Sequence, residues 1–101
     1  MVTNEINDIH VIIDKHIKIL SVGGLSKLDK EVEYDLLQEA IDALIRRYDL
    51  YSYNNDKKNL RRVRRVLLDV KEKLLIYAIK NPWDKIIENL YQKITDMHLW
   101  F

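Results

Sequence analysis

Apolar residues recur at alternating three- and four-residue steps four times along this chain, and that spacing leaves few folds open. Ile6, Ile9, Ile13, His16 and Leu20 make the first stripe, and Tyr34, Leu37, Ile41, Leu44, Tyr48 and Tyr51 the second. Leu60, Val63, Leu67, Val70, Leu74 and Tyr77 make the third, and Trp83, Ile87, Leu90, Ile94, Met97 and Phe101 the fourth. A mean step of about 3.5 residues keeps one face of an α-helix apolar and suits helices that pack at shallow crossing angles. No segment alternates apolar and polar residues as a half-buried strand would.

The helix breakers fall between the stripes. Gly23 and Gly24 follow the first, where glycine supplies the positive φ that helix C-termini favour. Ser26, with Asp29 three residues on, resembles a capping arrangement for the second helix. Asn54-Asn55-Asp56 interrupts the pattern, and Asp56 is a good N-cap for the third. The single proline, Pro82, follows Asn81; it closes the third helix and suits the first position of the fourth. Short connections favour antiparallel neighbours. The expected fold is all-α, a compact antiparallel bundle of about four helices, with residues 1–101 as one domain.

Composition narrows the class further. The chain is 48% apolar, enough for a packed core, and it has no cysteine, which removes disulfides and thiolate metal sites. No run is apolar enough to span a bilayer, and MVTNEINDIH carries acids where a signal peptide needs a basic start. The expectation is a cytoplasmic (intracellular) protein with no membrane partner.

Charge is where the chain departs from an ordinary bundle. Arg46 to Arg65 reads RRYDLYSYNNDKKNLRRVRR: eight Lys or Arg against two Asp, a local +6 in a chain of net +1. In helix two the acids Asp29, Glu31, Glu33 and Asp35 come first and Arg46-Arg47 last, the order that the helix dipole favours. Helix three reverses it. Lys57, Lys58, Arg61 and Arg62 crowd its N-terminus, where each cation is disfavoured by about 0.3–1 kcal/mol. An antiparallel hairpin turning near Asn55 sets Arg46 and Arg47 opposite Arg64 and Arg65, so like charges meet at its tip. Glu88, Asp96, Asp8 and Asp14 are the carboxylates on other helices that could neutralise them.

Arginine suits bidentate contact with phosphate or carboxylate. The sequence therefore predicts a polyanion site made of Arg46, Arg47, Lys57, Lys58, Arg61, Arg62, Arg64 and Arg65. Tyr53 and Asn54 at the turn add stacking and hydrogen bonds. The expected partner is a nucleic acid, DNA or RNA, held mainly by its phosphates. The alternative is a protein–protein module, an inhibitor, scaffold or oligomerising factor, docking an acidic partner surface.

Helix three is apolar on every side from Leu74 to Ile79, and the chain ends Met97-His98-Leu99-Trp100-Phe101. One reading buries this excess, with helix three central and the C-terminus tucked against it. The other makes Leu75, Ile79, Leu99, Trp100 and Phe101 an interface, with a homodimer as its simplest form.

Catalytic chemistry finds no constellation. His10 and Asp14 share a helix face at i, i+4, a spacing that metal sites use, but no second histidine completes a His-x-x-x-His pair. Pairs of that kind are usually surface hydrogen bonds, and His16, on a stripe, is expected to pair with a carboxylate. Ile41–Arg47 resembles the first helix of small helical chorismate mutases. That family places the helix at the N-terminus with an arginine upstream, where Glu31, Glu33 and Asp35 stand here, so the reading is set aside. No catalytic residue, cofactor or metal is expected, and the protein is read as a non-enzyme.

Overall fold

The structure, a computed structural model, describes the backbone of residues 2–99 and the side chains of residues 5–99. Four helices follow in order: α1 (Val2–Val22), α2 (Lys27–Tyr53), α3 (Lys57–Lys80) and α4 (Lys85–Thr95). No strand occurs among the described residues, and the expected all-α bundle is what forms.

The breakers act largely as their chemistry dictates. Gly23 and Gly24 take φ of 79° and 76°, and Ser26 caps α2 by accepting from the Asp29 amide at 3.2 Å. Asp56 caps α3, accepting from the Asn59 amide at 3.3 Å and from its side-chain amide at 2.8 Å. Pro82, however, does not open α4. It lies with Trp83 in a turn, and Asp84 is the cap, accepting from the Ile87 amide at 3.1 Å. A carboxylate that satisfies a free helix amide outcompetes the proline ring for that end. Trp83 is consequently 70% exposed rather than part of the fourth stripe.

Long-range polar ties give the helix directions. Glu5 pairs with Arg47 and His16 with Glu33, so α1 runs antiparallel to α2. His10 meets Asp69 and Asp14 meets Lys73, so α1 runs parallel to α3. Tyr34 donates to Asp84, and Lys93 donates to Asp42 at 2.5 Å, which sets α4 parallel to α2. Thus α2 and α3 form a central hairpin, with α1 packed on both its arms and α4 packed along α3. The result is a slab of 43 × 26 × 15 Å whose long edge is about the length of α2.

The core is built from the four stripes. Ile13, Leu37, Ile41, Leu44, Val63, Leu67, Val70, Leu74 and Ile87 are fully shielded from solvent. Stripe positions near the ends are looser: Ile9, Tyr48 and Leu60 are half-buried against this core. Phe101, the last member of the fourth stripe, lies outside the described residues. No helix among the described residues is long and apolar enough to cross a membrane.

Candidate functional site

The α2–α3 connection is held tightly. The Asn54 amide donates to the Leu50 carbonyl at 3.0 Å, the Asp56 amide to that of Tyr51 at 2.9 Å, and Asn55 takes a φ of 55°. These bonds leave Tyr53 projecting, 87% exposed, with Asn54 and Asn55 exposed beside it. Immediately beyond, Val63 and Leu67 anchor α3 in the core. Lys58, Arg61 and Arg65, spaced by three and four residues, are therefore carried on the outer face of that helix. Lys57 is also exposed, and Arg62 and Arg64 are half-buried at the margins.

Ion pairing explains why this face stays positive. The pairs formed among the described residues take Arg47, Lys73, Lys85 and Lys93. No such pair involves Arg46, Lys57, Lys58, Arg61, Arg62 or Arg65 among those residues. Of the nearby acids, Asp42 holds Lys93 and Asp56 holds the Asn59 amide, while Asp49 is exposed and forms no ion pair with these cations among the described residues. Of the four carboxylates expected to help, Asp14 bonds Lys73, Glu88 bonds Lys85, Asp96 accepts from Gln92, and Asp8 is exposed and forms no ion pair among the described residues.

Arg46 and Arg47 do not join this face. Arg47 turns towards α1, where its guanidinium pairs with Glu5 and also donates to the Ala43 carbonyl at 3.3 Å. Arg46 lines a groove between α1 and α2 with Ile12, Leu36 and Ala43. Arg46 and Arg47 thus lie on the α1 side of α2, while Leu44 and Tyr51 are buried in the core and Tyr48 packs half-buried against it. Glu5 was not among the anticipated partners. Its position in the first turn of α1, opposite the end of α2, was the available signal.

The anticipated apolar interface divides as well. Leu75 and Ile79 are 40% and 71% exposed, with Ile76 beside them at 48%. Leu99 instead packs half-buried against the core, next to Lys71 of α3 and Thr95 of α4. Trp100 and Phe101 lie outside the described residues.

Two further polar clusters occur, and both tie helices together. His10 bonds Asp69 at 2.6 Å, while Asp14 stands 3.7 Å from the same imidazole nitrogen. The Lys73 ammonium lies 2.7 Å from Asp14 and 2.8 Å from Asp69. His10, Asp14 and Asp69 are close enough together to share a cation, but the ammonium already sits between the two carboxylates. Burial pushes the Asp69 carboxyl up, and the bonds from Lys73 and His10 outweigh it, holding the group below the usual carboxylate range. Burial likewise lowers Lys73, and its two carboxylate partners overcome that and raise it. In the core, Asp84 accepts from the Tyr34 hydroxyl. Burial first, and this hydrogen bond second, push Tyr34 well above the ordinary tyrosine range. Tyr77 is raised too, by burial and by the neighbouring Asp84 charge.

No protein-family model matches this chain, and no curated protein or solved structure matches it either.

Proposed function

We propose that this protein binds the phosphate backbone of a nucleic acid through the N-terminal half of α3 and the turn that precedes it. The observation that carries the reading is the set of exposed cations, Lys57, Lys58, Arg61 and Arg65, without a carboxylate partner among the described residues. Lys57 and Lys58 stand in the first turn of α3, where the helix dipole disfavours cations. Arg62 and Arg64, half-buried, lie at the margins of this face. Tyr53 and Asn54, exposed at the turn, offer a stacking face and hydrogen bonds next to the charges. Contacts of this kind hold a backbone without reading sequence, so DNA and RNA share the same chemistry here.

The test is binding to labelled duplex DNA and to RNA across a salt series. If the four exposed cations each meet a phosphate on duplex DNA, the log–log slope is about −3 to −4. Reversal of Arg61 and Arg65 to Glu abolishes that binding. No binding at low salt, or binding indifferent to the reversal, rules the reading out.

A second reading, docking on an acidic protein surface, draws on the same cations. It is favoured by Leu75, Ile76 and Ile79, which are exposed on the C-terminal half of the same helix. A partner that is lost equally on Leu75→Glu and Arg61→Glu, with no nucleic-acid binding by the parent chain, would select it.

A further inference from the structure

Helix α2 carries apolar residues on two faces, although packing within the chain uses only one. The inner stripe of Tyr34, Leu37, Ile41, Leu44 and Tyr51 is buried. Outside it run Val32, Leu36, Glu39, Ala43, Arg46 and Leu50, spaced 4-3-4-3-4. Val32, Leu36 and Leu50 are 49%, 41% and 53% exposed. A single helix packed on a core needs one such stripe, and a second with the same spacing is the pattern that meets another helix. The face is grooved, too: Leu36, Ala40 and Ala43, with Ile12 of α1, line a depression of about 310 Å³ between α1 and α2.

Glu39 and Arg46 interrupt the outer stripe near its middle, and both line that groove. They are seven residues apart, about 10 Å along the axis, too far to pair with each other. Neither has an ion-pair partner among the described residues. The stripe has aliphatics at both ends, Val32 and Leu36 before Glu39 and Leu50 after Arg46, with the small Ala43 between the two opposite charges.

We infer that this face of α2 is self-complementary and that two copies of the chain pair through it, antiparallel, about a two-fold axis close to Glu39–Ala43. Charge decides both occupant and direction. In a parallel pair Glu39 would meet Glu39 and Arg46 would meet Arg46. In an antiparallel pair each Glu39 comes within reach of the partner's Arg46, and Val32 packs towards the partner's Leu50. An isologous two-fold interface requires a patch complementary to itself in this way. Ala40 and Ala43 let the helices approach closely, since interaxial distance follows side-chain size at the contact. The outer face of α3, with Lys58, Arg61 and Arg65, is not part of this surface, so each copy keeps its basic face.

Sedimentation equilibrium of the full chain tests this, with circular dichroism verifying that each variant folds. The wild-type chain is expected to be a dimer. Glu39→Arg alone sets Arg against Arg, and Arg46→Glu alone sets Glu against Glu; each should weaken dimerisation at least about tenfold. The double variant E39R/R46E restores opposite charges and should dimerise as the wild type does. An equimolar mixture of the two single variants should likewise give a heterodimer. A wild-type chain that stays monomeric to its solubility limit overturns the inference. So does a dimer that both single variants leave intact, or one that Leu75→Glu separates while Arg46→Glu does not.

Discussion

The Tyr34 hydroxyl donates to the same Asp84 carboxylate that caps α4, so one buried acid both starts the last helix and fastens it to the second. Tyr77 of α3 lies close enough to feel that charge, which makes the start of α4 a junction of three helices. Asp84→Ala removes the cap, worth about 1 kcal/mol, and strands a buried hydroxyl, worth about 1–3 kcal/mol. A loss of about 2–4 kcal/mol is expected, read from the urea midpoint.

The same junction makes the fold sensitive to alkali. Tyr34 has a folded-state pKa above its unfolded value of about 10, so the unfolded chain loses its proton first as pH rises. Its contribution to stability is therefore complete below pH about 10 and is lost above it. Urea unfolding across this range should show stability falling with pH, and Tyr34→Phe should flatten the fall.

At the acid end the corresponding group is Asp69, held low by Lys73 and His10 against the effect of burial. Its contribution is present above the ordinary carboxylate pKa and fades as pH drops through the lowered one. Asp69 and Lys73 are more than a third exposed, so screening leaves a coupling of about 0.5 kcal/mol. A double-mutant cycle with Asp69→Asn and Lys73→Met, repeated in high salt, should recover that value and see it shrink.

Among the arginines, function and stability should separate. Arg61→Ala with Arg65→Ala should make the salt slope on duplex DNA shallower by about 1.8 and leave the urea midpoint nearly unchanged. Arg47→Ala should do the reverse, since Arg47 is tied to Glu5 and to the Ala43 carbonyl. Its loss should lower stability by about 0.5 kcal/mol without altering the slope.

Turn geometry gives a further check. A Cβ at Gly23 or Gly24 would meet nothing within 4 Å, so alanine there costs only the left-handed backbone strain, about 1–2 kcal/mol. Asn55 already bears that conformation with a side chain. Asn55→Gly should change the urea midpoint by no more than about 0.5 kcal/mol.

Much of the bundle was legible from local chemistry. Helix periodicity, the Gly23-Gly24 stop and the Ser26 and Asp56 caps are properties of short segments, and each appears where the spacing predicts it. Asp84 was not legible as a cap because Pro82 offers a plausible helix start two residues earlier. The choice between them turns on whether Asp84 finds Tyr34, fifty residues away. The basic face was visible as a charge run, yet its membership was not. Arg46 and Arg47 are adjacent to it in sequence but point to the α1 side of α2.

Local pattern thus settles which residues are helical, which face of each helix is apolar and where the positive charge is concentrated, because all three depend on neighbours within a few positions. Which cations remain without a carboxylate depends instead on how the helices are assembled. Glu5 reaches Arg47, Lys73 takes Asp14, and Lys93 takes Asp42, each a pairing between helices. An ion pair needs two side chains brought within about 4 Å. Packing alone brings these together, and it leaves Lys57, Lys58, Arg61 and Arg65 facing outward.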